Sequence, residues 1–257
     1  MKSQIKIFET GILDGVMSRN KKFYDENLTQ EEINRIFKTT RISIGKRYGF
    51  NGLKIIQALQ KNENNNLSYP DGKYIVIDEK NLQKEDLWYE ELPADILIIS
   101  NKYKNIVIGN QCADCPIVIA EDRKLGVTAL AHCGAAYINR KLPYQIIEAL
   151  KKEYNSNPEN IYVYISSGAK KDSFIYETYP RWATNKDVWA GCIEENEDKY
   201  KIDMYTAIKK QLQSQKIKNI IINKKDTITD NTLASHYCAV KGQKEKMGQN
   251  FVGFYYN

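Results

Sequence analysis

Histidine is the scarcest residue in this chain: only His132 and His236 occur among 257 residues. Any imidazole chemistry must pass through one of those two. A multicopper centre, which is built on many imidazoles, is excluded by the count alone. Long apolar runs are missing too. No stretch approaches the roughly 18 residues that a membrane helix needs. The opening Met-Lys-Ser-Gln-Ile-Lys-Ile-Phe-Glu has no apolar region of the signal-peptide kind, so the expectation is a cytoplasmic protein without a membrane partner. The net charge is +6, yet no basic block is present. Pairs such as Lys209-Lys210 and Lys224-Lys225 are scattered and read as a solvated face, so nucleic acid is not an expected partner. Five cysteines at irregular spacing read as thiols and not as a disulfide framework.

The remaining composition is that of a globular protein, 42% hydrophobic and 27% charged,. Neither an internal repeat nor a linker is visible, and residues 1–257 read as one domain. Thr29-Gln-Glu-Glu32 is a capping-box signature. Ile33, Ile36, Phe37, Ile44 and Tyr48 then follow at helical spacing, predicting a helix to about Arg47 that stops before Gly49. Asn62 to Pro70 reads as an Asn-rich loop running into a Tyr-Pro-Asp-Gly turn. Short β-branched runs predict strands at 74–77, 96–99, 106–108, 117–119, 127–131, 161–165, 219–222 and 251–256. Helices are predicted after Pro143, with Ile147, Leu150 and Tyr154 on one face, and around Tyr205, Ile208 and Leu212. Strands outnumber helices and do not alternate with them. This favours an α+β fold with mixed sheet layers and flanking helices over a doubly wound sheet.

Two nearby segments carry the chemistry. Ala113-Asp114-Cys115-Pro116 precedes the run Ile117 to Ala120, and Ala131-His132-Cys133-Gly134 follows the run Val127 to Leu130. A thiol and an imidazole on neighbouring strands can share a metal, or they can act as nucleophile and base. Cys112 is a further metal candidate through the Cys112-Ala-Asp-Cys115 spacing, although on a straight strand its thiol would point to the opposite face. Asp114 joins Cys115 and His132 as a candidate catalytic group or as an acceptor for a ligand or a backbone amide. Ser166, Ser167, Ser235 and His236 are candidate ligand-binding residues. Trp182, Trp189 and the many tyrosines offer faces for stacking.

These segments resemble the signature of the polyphenol oxidase (laccase-domain) family, roughly T-A-D-C-x-P with an apolar run and then a strand ending H-A-G-W-R-G. Asn34-Arg35, Pro93-Ala94-Asp95-Ile96, Lys201 to Met204 through Gln211-Leu212, and Asp226-Thr227 through Ser235-His236 and Gly248-Gln249 follow the family pattern in order along the chain. The resemblance implies a fold like that of the cytotoxic necrotizing factor deamidases. It also implies a small-molecule substrate, a purine nucleoside such as adenosine or inosine, cleaved by phosphate or deaminated. Zinc is the metal it implies, held by Cys115, His132 and a third histidine. The sequence departs from the pattern at that third position, where Leu59 stands. Two family arginines are lost as well, at the segments Thr10 to Val16 and His132 to Tyr137. Two readings therefore remain beside the family chemistry: a metal-free cysteine hydrolase or amidase using Cys115 and His132, and a ligand-binding protein without turnover.

Overall fold

The computed structural model describes residues 4–18, 20–52, 54–59, 72–82 and 90–257. Helix α1 (Gln30–Tyr48) starts at the predicted capping box: the Glu32 N–H donates to the Thr29 hydroxyl at 3.3 Å, and the Thr29 N–H donates to the Glu32 carboxylate at 2.8 Å,. Gly49 ends it in the left-handed conformation, φ 81°, which glycine adopts without a Cβ clash. Ile33, Phe37 and Ile44 are buried as the spacing predicts, whereas Ile36 is 41% exposed. The predicted Asn-rich loop at 62–70 lies outside the described residues.

The first sheet contains β1 (Ile5–Glu9), β2 (Ile55–Ala58), β4 (Glu90–Leu92), β6 (Val107–Cys112) and β14 (Asn250–Tyr256), in the order β1-β14-β6-β2-β4. A second sheet contains β3 (Tyr74–Val76), β5 (Ile96–Ser100), β7 (Ile117–Asp122), β8 (Val127–His132), β9 (Ile161–Ile165) and β13 (Asn219–Ile222), in the order β13-β9-β7-β8-β5-β3. Both are mixed; β2 runs parallel to β6, and β7 antiparallel to β8 and β9. A small antiparallel sheet is built from β10 (Ile175–Tyr176), β11 (Ile193–Asn196) and β12 (Lys199–Ile202). The remaining helices are α2 (Glu79–Leu82), α3 (Ala135–Asn139), α4 (Leu142–Tyr154), α5 (Lys186–Trp189), α6 (Met204–Ser214) and α7 (His236–Val240).

Alternation along the strands decides the layering, because successive side chains point to opposite faces. Ile117, Ile119 and Leu130 of the second sheet meet Ile56, Ile108 and Phe254 of the first, making a sheet-on-sheet core. Val118, Ala120, Ala129 and Val163 turn the other way and pack under Ile146, Leu150, Ile208 and Leu212 of α4 and α6. On the far side of the first sheet, Phe37 and Ile44 of α1 cover Ile55, Val107, Phe251 and Tyr255. Each fully buried Ile or Leu contributes about 1.5–3 kcal/mol through removal from water. The α+β fold with mixed sheet layers and flanking helices agrees with the sequence reading. Strands β1 and β2, the β10–β12 unit and α7 were not predicted.

Candidate functional site

A single turn carries the chain from one large sheet to the other: β6 ends at Cys112 in the first sheet, and β7 begins at Ile117 in the second. Ala113, Asp114, Cys115 and Pro116 span this crossing. Asp114 stands at φ 78°, a left-handed conformation that Asp tolerates better than most side chains. Gly168 fits closely beneath the turn; a Cβ there would lie 2.7 Å from the Asp114 carbonyl oxygen and 2.8 Å from the Tyr205 hydroxyl.

The antiparallel register places Ile117 opposite His132, and the Cys133 N–H donates to the Pro116 carbonyl at 2.8 Å. Cys115 thus faces Gly134. The thiol lies against the space a side chain would fill: a Cβ on Gly134 would be 2.9 Å from Sγ. Burial pushes the Cys115 thiol up to about 12; the nearby Asp114 charge adds to the rise, and a hydrogen bond from the Ala135 N–H opposes it,. Burial lowers His132 to about 4. Both groups are neutral at pH 7. Nucleophilic attack uses the thiolate, so this setting does not favour it in the resting site.

Cys115 forms part of the floor of a cavity of about 460 Å³, together with Ala113, Asp114 and Ala135. Phe174, Tyr176 and Tyr237 supply aromatic walls, Met204 an apolar one, and His236, Lys241 and Glu177 the charged and polar groups. The rings support one another. Phe174 meets Tyr176 at 5.2 Å and Tyr237 at 5.6 Å, both edge to face, and Trp182 stands behind Tyr176 at 6.0 Å. The Tyr237 hydroxyl donates to the Ile175 carbonyl at 2.6 Å, and Lys241 Nζ sits 4.2 Å from the Tyr237 ring centroid. Aromatic walls over a small, mostly apolar floor suit a planar ligand.

The other predicted site residues separate into two groups. His236 is exposed and lines the cleft. His132 ends β8, where the pleat carries it to the same side as Leu130, and it is not among the lining residues. Cys112 is buried in the core between the sheets, its thiol pushed well above the usual range by burial. Ser166 is fully buried; its hydroxyl accepts the Ile117 N–H at 2.8 Å and donates to the Ser167 carbonyl at 2.8 Å. Ser167 is buried, with its N–H on the Glu9 carboxylate at 3.2 Å. Ser235 caps α7 by accepting the Cys238 N–H at 3.2 Å,. None of these three serines lines the cleft. Lys170 is half-buried, with Nζ donating to the Asn223 carbonyl at 2.6 Å and lying 3.3 Å from the Tyr205 ring centroid. Phe174, Tyr176, Glu177, Met204, Tyr237 and Lys241 are among the cleft residues that sequence reasoning missed.

The donor set for a metal falls short. A zinc centre takes at least three protein ligands. Among the described residues no three His, Cys, Asp or Glu side chains come together in that way. Strand β2 runs beside β6 with Gln57 opposite Gly109, so Leu59 lies at the same end of the sheet as the Cys115 turn, offering no donor. Copper in a multicopper arrangement fits no better, with two histidines in the chain,. Among the described residues no helix is long and apolar enough to cross a membrane.

Residues 72–252 match a family model described as multi-copper polyphenol oxidoreductase laccase. Three solved structures share the fold. Hypothetical protein YfiH of Bacillus licheniformis is 13% identical, with a TM-score of 0.66 over 87% of this chain and 82% of that one. YlmD from Geobacillus stearothermophilus is 12% identical, with a TM-score of 0.66 over 87% and 81%. A Neisseria meningitidis protein is 14% identical, with a TM-score of 0.67 over 100% and 96%. No curated protein matches the chain.

Proposed function

Because this chain belongs to the multi-copper polyphenol oxidoreductase laccase family, we propose that its Cys115 cleft takes a purine nucleoside, releasing the base of adenosine or inosine by phosphorolysis or deaminating adenosine with water to inosine and ammonia. The observation that carries this reading is the triple aromatic wall of Phe174, Tyr176 and Tyr237 around the Asp114–Cys115 floor. Such rings bind a nucleobase by stacking, at about 1–3 kcal/mol per base. The protonated Cys115 thiol serves as a donor on the cleft floor. The Lys241 ammonium and the His236 ring are the hydrogen-bond donors available to a sugar hydroxyl or to orthophosphate, since no arginine is among the lining residues. With the donor set one short, no step is assigned to a metal. Incubation of the purified protein with adenosine or inosine and phosphate is expected to yield free base or inosine. Absence of both products, together with no thermal shift by either nucleoside, refutes the reading.

A second reading is favoured by a specific set of residues: Leu59 in place of a donor, with Cys115 and His132 both neutral. Under it the cleft binds the nucleoside without turnover. A thermal shift with unchanged adenosine after prolonged incubation supports it. The cysteine hydrolase reading is the least favoured, because a thiol pushed up to about 12 is a poor nucleophile near neutrality.

A further inference from the structure

We propose that Asp114 is a positioning residue, whose carboxylate latches α7, one wall of the cleft, to the turn that forms the cleft floor. Asp114 is 5% exposed, and both of its carboxylate oxygens are engaged. Oδ1 accepts the Thr227 hydroxyl at 2.7 Å, and Oδ2 accepts the Tyr237 backbone N–H at 2.7 Å. Its own carbonyl accepts the Ala169 N–H at 2.9 Å. The same residue holds the left-handed φ of 78°. One residue therefore ties the Cys115 turn to three separate segments.

The wall it holds is a weak element on its own. Helix α7 spans His236–Val240, barely more than one turn, too short to be stable without tertiary support. It nevertheless brings His236, Tyr237 and Val240 to the cleft, and Lys241 follows directly. The Asp114 bond lands on the Tyr237 N–H in its first turn, a donor without a partner inside the helix. The adjacent residues Ala113 and Cys115 are cleft floor. Width and shape between floor and wall thus depend on this carboxylate, which is occupied as an acceptor and not arranged for proton transfer.

The variants follow from hydrogen-bond chemistry. Asp114→Ala removes both bonds. Asp114→Asn can keep both, since the amide oxygen takes the Tyr237 N–H while the Thr227 hydroxyl reverses to accept from the amide nitrogen. Thr128→Val is the control; it removes a buried bond of 2.7 Å to the Tyr256 hydroxyl, away from the cleft. Hydrogen exchange across residues 235–241 is expected to rise at least tenfold in Asp114→Ala, to stay near native in Asp114→Asn, and to be unaffected in Thr128→Val. The proposal is overturned if exchange there rises no more in Asp114→Ala than in the control, or if Asp114→Asn is as damaged as Asp114→Ala. Should Asp114→Ala fail to fold, Asp114→Ser takes its place, since one short hydroxyl cannot span both Thr227 and the Tyr237 N–H; a rise in exchange confined to α7 is expected, and no rise overturns the latch. Adenosine affinity is the second measurement, and that arm rests on the nucleoside reading. An at least fivefold weaker Kd is expected for Asp114→Ala and recovery for Asp114→Asn; no change against native overturns the link from latch to cleft. If adenosine does not bind the native chain, the nucleoside reading fails while hydrogen exchange still decides the latch.

Discussion

Gly134 leaves room for the Cys115 sulfur: a side chain starting at its Cα would come within 2.9 Å of Sγ. The two residues face each other across the start of the β7–β8 ladder, so neither can withdraw without disturbing the strands that hold it. Gly134→Ala is expected to cost about 1–3 kcal/mol, the range of overpacking at a tight site. In a Cys115→Ala background the same change should cost clearly less, because the obstructing sulfur is gone. Chemical denaturation of the four proteins measures the coupling. Strict additivity would show that the glycine is needed for another reason.

The acidity of Cys115 leads to a kinetic prediction. The thiolate is the reactive form, and burial beside Asp114 pushes this thiol up to about 12. Iodoacetamide labelling of Cys115 at pH 7.5 should be more than tenfold slower than that of free cysteine, and it should accelerate as the pH rises toward 10. Peptide mass spectrometry resolves Cys115 from the four buried cysteines. Rapid labelling near neutrality would restore the cysteine hydrolase reading.

Much of the architecture is legible in the sequence, for identifiable reasons. The runs at Ile117 and Val127 are β-branched and buried on both faces, so they read as central strands without tertiary information,. Thr29, Glu32 and Gly49 mark α1 through local hydrogen bonding and backbone sterics. The cleft walls carry no such local signal. Phe174 and Tyr237 lie far apart in sequence and meet only in the folded chain, with ring centroids 5.6 Å apart. The three serines were misleading for a related reason. Hydroxyls of Ser166 and Ser235 are used by backbone amides of Ile117 and Cys238, contacts that residue identity alone does not reveal. Cys112 shows the limit of spacing arguments: it shares a C-x-x-C with Cys115, but its strand buries it between the sheets.

Leu59 provides a gain-of-function test for metal binding. A third donor is what the Cys115–His132 pair lacks among the described residues. Leu59 is 36% exposed, so a histidine there incurs little burial cost. Leu59→His is expected to retain about one zinc per chain after dialysis, with the native chain retaining far less, and Cys115→Ala should abolish the gain. Elemental analysis gives the stoichiometry. Stoichiometric zinc in the native protein would mean that its third donor comes from elsewhere.

Lys170 gives a pH dependence whose sign is fixed by the direction of its shift. Burial lowers this ammonium from 10.5 to about 8, against the opposing charges of Asp226, Glu9 and Asp203. Between pH 8 and about 10.5 the unfolded chain therefore holds more protons than the folded one, and stability gains from this residue as pH rises. The penalty of a charged Lys170 is fully present below pH 8 and disappears as the unfolded lysine also loses its proton. Lys170→Met removes the titration while keeping an apolar stem over the Tyr205 ring. The variant is expected to gain most over native, or lose least, at pH 7, with that relative advantage shrinking steadily toward pH 10. Paired melting curves across the range measure the difference in Tm. A difference that stays flat from pH 7 to 10 would mean that Lys170 keeps an ordinary, solvated ammonium.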